Sequence, residues 1–98
     1  MEMFGINPLL LTRKEELTKE ELAEAIRIAI IAELDAINFY EQLARSVKDG
    51  KIKKVFLDIA REEKTHFGEF LTLLEMLDKE QVSELKKGRE EVEELMGK

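Results

Sequence analysis

Ala32-Glu33-Leu34-Asp35-Ala36-Ile37-Asn38-Phe39-Tyr40 and, further along, Arg61-Glu62-Glu63-Lys64-Thr65-His66 are the stretches that decide the fold. Each lies inside a long run without proline, where residues separated alternately by four and three positions form one stripe along a helix. Around the first stretch the stripe reads Leu22, Ile26, Ala29, Glu33, Ala36, Tyr40, Leu43, Val47. Around the second it reads Ile52, Phe56, Ile59, Glu63, His66, Phe70, Leu73, Leu77. Both stripes are apolar and face a partner, and both carry polar groups near the middle. No strand-period alternation extends beyond a few residues, so the fold class is all-α.

Helix limits follow from the punctuation. Thr18-Lys19-Glu20-Glu21 has the pattern of a capping box, so a helix is expected over about residues 19 to 48, closed by the turn signal Asp49-Gly50. A second helix is expected from about Ile52 to Leu77, antiparallel to the first. Asp78, followed by Gln81, reads as the N-cap of a shorter helix that Gly88 interrupts. Gly5 and Pro8 make residues 1–17 an extended arm. The whole chain, 1–98, is therefore expected to be one folding unit: arm 1–17, helical hairpin 18–77 and C-terminal helical segment 78–98.

A buried, unpaired carboxylate costs several kcal/mol, about the penalty that forces such groups to find a cation or become neutral. Antiparallel packing brings Glu33 beside Glu63 and His66, and three such groups at one level point to a shared cation. Ala29 and Ala36, one turn either side of Glu33, leave room for it. Against this stands a plainer possibility. Glutamate is so abundant that Glu-x-x-His alone is weak, and Glu62, four residues before His66, could be an ordinary helix-surface partner. The coincidence of phase favours a metal: Glu33, Glu63 and His66 all fall on the stripes, while most other glutamates do not.

Composition narrows the alternatives. A net charge of -6 argues against a nucleic-acid partner, since phosphate binding needs a clustered excess of Lys and Arg. Arg27, Glu33 and Asp35 interrupt the longest apolar run, so no membrane span is expected. Met1 to Leu11 lacks the basic start and the apolar core of a secretory signal. Cysteine is absent, which excludes disulfides and thiolate metal sites and fits a cytoplasmic protein. The Glu- and Lys-rich composition, 39% charged, is one reported for proteins working at high temperature. A chain this short needs a metal or a partner subunit for stability.

Ferritin-type di-iron bundles take one Glu from each of two helices and one Glu-x-x-His from each of the other two. This chain carries half of that set. A complete site then requires a second copy across a twofold axis, each subunit giving the same ligands. From Ala25 to Ile37 the first helix is apolar on nearly every side, which independently predicts neighbours. Carboxylates with one imidazole per metal suit iron or manganese, with zinc able to compete. Two such ions roughly 3.5–4 Å apart could reduce dioxygen jointly.

In the two stretches quoted above the chain resembles the encapsulated ferritins, half-bundle ferritin-like proteins housed in encapsulin nanocompartments. It is most similar to the ferritin-like domain at the N-terminus of archaeal encapsulin shell proteins, from about Ile6-Asn7-Pro8 to the end. The resemblance implies two chains completing a ferritin-like four-helix bundle and a ring-shaped homodecamer. It further implies a ferroxidase centre that oxidises Fe(II) with dioxygen at the dimer interface, for iron storage inside the shell. It also implies that Glu33 and His66 are terminal iron ligands, that Glu63 bridges two irons and that Tyr40 lies near the centre. Asp35 matches an acidic metal-entry residue of the family, whereas Ala32 stands where another has Glu, and Phe39 replaces a Trp. No cargo-loading peptide is recognisable at the C-terminus, which suits association with the shell by fusion.

Two other functions compete. One is a non-catalytic, metal-binding or purely structural assembly module. The other, peroxide reduction in the manner of rubrerythrins, is disfavoured because no rubredoxin-type cysteines are present to deliver electrons.

Overall fold

The computed structural model describes residues 15–97, and among them there are three helices and no strand. Helix α1 spans Lys19–Ser46, α2 spans Gly50–Leu77 and α3 spans Lys79–Leu95. The expected arm lies outside the described residues, except for 15–17, which are not helical.

The capping box forms as the sequence requires. Glu21 N donates to Thr18 Oγ1 at 3.1 Å and Thr18 N donates to Glu21 Oε1 at 2.9 Å, so two otherwise unpaired backbone donors are satisfied. At the hairpin the expected limits shift. Helix α1 stops at Ser46 because Val47 is extended, and α2 begins at Gly50, since Asp49 Oδ1 accepts from Lys51 N at 2.8 Å and from Ile52 N at 3.2 Å. Asp49 is thus a helix cap as well as a turn residue.

Gly88 does not interrupt α3, contrary to expectation. An interior glycine costs only about 1 kcal/mol, and Lys86, Lys87, Arg89 and Glu90 around it are good helix formers. The helix ends instead just before Gly97, whose φ of 80° is the left-handed conformation that closes helices.

The two 28-residue helices α1 and α2 pack side by side over about 40 Å, at 1.5 Å per residue. The face buried within the hairpin is not the stripe read from the sequence. On α1 the buried residues are Ala23, Ile26, Ile37 and Ala44, and on α2 they are Ala60 and Leu74. The intrachain seam of α1 therefore runs through 23, 26, 30, 33, 37, 40 and 44, sharing only Ile26, Glu33 and Tyr40 with the expected stripe. Leu22 on α1, and Ile52 and Leu73 on α2, are exposed on the flank. Where a helix is apolar on nearly every side, two stripes of identical spacing can be drawn, and spacing cannot tell which one faces the chain's own partner helix.

At one end of the hairpin Ala23, Ile26 and Leu74 form a cluster packed by Ile30, Phe70, Leu71 and Leu77. Elsewhere along the hairpin Ala44, near the turn, and Ala60, near mid-helix, are 1% and 2% exposed, so neither site has room for a larger side chain facing solvent. Ala60→Leu is expected to destabilise the protein by about 1–3 kcal/mol, the range for overpacking a filled core. Thermal denaturation of the metal-free protein, compared with the surface control Glu84→Ala, checks it.

Candidate metal centre

Glu63 and His66 sit three positions apart on α2, adjacent on its surface, and Glu33 of α1 lies level with them across the hairpin. One ligand atom of each lies within 4.8 Å of those of the other two, and this is the metal-ligating group found among the described residues. His66 Nδ1 is hydrogen-bonded to Glu63 Oε1 at 2.9 Å, the ring N–H donating when the carboxylate is ionised. The same nitrogen is 3.7 Å from Glu33 Oε2, too far for a hydrogen bond. His66 therefore pairs with Glu63, and the alternative partner Glu62 is not used.

The three groups are not equally enclosed. The side chains of Glu33 and Glu63 are 17% and 21% exposed and point into the hairpin seam, whereas that of His66 is 49% exposed and lies on the flank. The three groups expected at one level do lie together, with His66 on the more open side. Glu33 Oε2 is fully buried and has no hydrogen-bond partner. Burial pushes the Glu33 carboxyl above the usual carboxylate range, and Glu63, which can accept a hydrogen bond only once Glu33 carries the proton and whose charge repels the ionised form, adds to that rise. His66 opposes the shift and Glu69, an acidic neighbour not singled out from the sequence, reinforces it.

Tyr40 lies one heptad beyond Glu33 on α1. Its ring stacks on Phe56, with centroids 6.5 Å apart, and meets the edge of Phe39 at 5.2 Å. It lies two turns along the helix from Glu33 and is not a member of the ligand group. Asp35 is also outside that group. Two ion pairs that cross between elements went unforeseen: Lys64 Nζ to Glu41 Oε2 at 2.9 Å, and Arg27 Nη2 to Asp78 Oδ2 at 2.6 Å. Their sequence separation hides them, because only the antiparallel register brings the partners together.

Oxygen donors plus one imidazole form a hard set suited to a divalent first-row cation. The orphaned oxygen of Glu33 supplies an acceptor that no protein donor satisfies, so the residues present fit a metal ion. Residues 24–96 match the rubrerythrin family. The chain belongs to that family.

Within the rubrerythrin family the likeness read from the sequence is borne out. The chain is 61% identical, over 97% of its length, to the ferritin-like-encapsulin shell fusion protein of Pyrococcus furiosus. It is 34% identical, over 86% of its length, to an encapsulin nanocompartment cargo protein of Myxococcus xanthus. It spans only 28% and 65% of those two relatives' own lengths. Among solved structures, the crystal structure of the encapsulated ferritin domain from Pyrococcus furiosus superposes with a TM-score of 0.86, at 61% identity and 95% coverage of both chains. The all-α architecture of this rubrerythrin-family chain is thus the fold of that domain. No helix among the described residues is long and apolar enough to cross a membrane.

Proposed function

We propose that two copies of this chain complete a ferritin-like four-helix bundle whose di-iron centre oxidises Fe(II) to Fe(III) with dioxygen. The observation that carries this is the buried, unpartnered Glu33 Oε2 beside Glu63 and His66. In a single chain that oxygen is an uncompensated cost, and a cation shared across a twofold axis removes it. The half-exposed His66 and the exposed Leu22, Ile52 and Leu73 on the same flank support a second copy covering this side.

Iron supplies the redox step, each Fe(II) giving up one electron to dioxygen. The chain's own groups do the rest. Glu33, Glu63 and His66 would hold the iron, each copy giving two carboxylates and one imidazole. His66, now hydrogen-bonded to Glu63, would supply the imidazole ligand when iron is bound. Tyr40, stacked on Phe56, lies two turns along the same helix from Glu33.

The names of the relatives support a setting: one is a ferritin-like-encapsulin shell fusion protein and another an encapsulin nanocompartment cargo protein. On this reading the chain works inside an encapsulin nanocompartment, where it would form a ring-shaped homodecamer and deliver ferric iron for mineralisation and storage.

Ferrous iron added anaerobically, followed by air, is expected to give Fe(III) absorbance well above the buffer rate. Metal binding without that fast phase would leave a non-catalytic, metal-binding assembly module and reject the ferroxidase.

A further inference from the structure

Helix α3 leaves the hairpin through a single residue, Asp78, which is extended at φ -132° and ψ 94°. No residue of α3 is buried among the described residues, so α3 is not seated in the hairpin core. The α2 ladder closes at the same place, where Asp78 N donates to Leu74 O at 2.8 Å. A lone extended residue between two helices is a hinge unless something restrains it.

The Asp78 carboxylate is bound at both oxygens. Oδ1 accepts from Gln81 N at 3.0 Å and caps α3. Oδ2 accepts from Arg27 Nη2 of α1 at 2.6 Å, with the two side chains 25% and 43% exposed. Directly beneath, Ile26 and Leu77, the neighbours of Arg27 and Asp78, belong to one apolar cluster, so the two ends of the ion pair rest on packed ground. One carboxylate thus ties the start of α3 to a helix that α3 does not otherwise touch closely.

We propose that Asp78 and Arg27 form a corner brace that sets the direction of α3 relative to the hairpin, with Arg27 as the positioning residue. The cap decides whether α3 is helical at its start; the Arg27 bond decides where it points. These roles separate by substitution. Asp78→Asn keeps a good capping acceptor but loses the charge, Arg27→Gln loses the charged bond alone, and Asp78→Ala loses both. Arg27→Lys retains a cation that can reach the carboxylate.

The chain has no cysteine, so Gln42→Cys in α1 and Lys87→Cys in α3 can be spin-labelled uniquely. Labelled full-length chains are diluted into unlabelled ones, without metal, and the distance distribution is read by pulsed electron resonance. The brace predicts a narrow distribution with Arg27 and Asp78 in place. Arg27→Gln and Asp78→Asn are expected to broaden it at least about twofold at unchanged helix content, and Arg27→Lys to recover much of the width. If Arg27→Gln loses helix content, Asp78→Asn and Arg27→Lys decide alone. Distributions as narrow as the parent in Arg27→Gln or, in that case, Asp78→Asn would overturn the brace. So would broadening in Asp78→Ala alone, which would leave only the cap.

Discussion

His66→Ala is expected to slow ferrous oxidation by more than about a hundredfold, beyond the loss seen when groups merely supporting a metal ligand are removed. The side chain is the only imidazole in the chain and stands within reach of both carboxylates. Removing it takes away the nitrogen ligand in both copies at once. The substitution should leave the hairpin intact, because His66 is half-exposed and alanine favours helix. Stopped-flow absorbance after mixing with aerated buffer reads the rate, and an anaerobic binding titration reads the affinity. Undiminished oxidation in this variant would show that the chemistry resides elsewhere.

Glu33→Gln should have opposite effects on stability and on metal binding. In the metal-free protein the carboxylate form of Glu33 is held in a buried site with one oxygen unpartnered, which costs on the order of 1–3 kcal/mol. Glutamine removes the charge at nearly constant shape. At neutral pH the metal-free variant is therefore expected to melt several degrees higher than the parent, while the stabilisation that added metal gives the parent disappears. The sign of the pH dependence follows from the raised Glu33 carboxyl. A group that holds its proton more tightly when folded stabilises the fold below its unfolded value of 4.5, and that contribution is lost as pH rises through the raised folded value. The advantage of Glu33→Gln should accordingly be full above that window and shrink towards nothing as pH falls to about 4. Melting curves with chelator at several pH values check this. An unchanged or lower melting temperature at neutral pH would mean that Glu33 already has a partner when metal-free.

Much of this was legible in the sequence, and the failures are instructive. The capping box at Thr18, the cap at Asp78 and the level pairing of Glu33 with Glu63 and His66 follow from local chemistry and from the antiparallel hairpin, both of which spacing encodes. The rotation of α1 was not legible. Its residues near Glu33 are apolar on several faces, so Ala23, Ile30, Ile37 and Ala44 make as good a stripe as Leu22, Ala29, Ala36 and Leu43. In the structure Ala23, Ile37 and Ala44 are buried, whereas Ala29, Ala36 and Leu43 are half-buried and Leu22 is exposed. Gly88 misled because glycine is a weak helix breaker among strong helix formers, and the stop came at Gly97, where the backbone turns left-handed. The Arg27–Asp78 bond depends on a corner that no local pattern specifies.

An anomalous-scattering crystal structure of the iron-loaded protein tests the account most directly. It should show a pair of iron peaks between two hairpins, each peak contacted by Glu33, Glu63 and His66 side chains, with both copies contributing. Iron bound within one hairpin alone, or at acidic surface groups with these three side chains left empty, would contradict it.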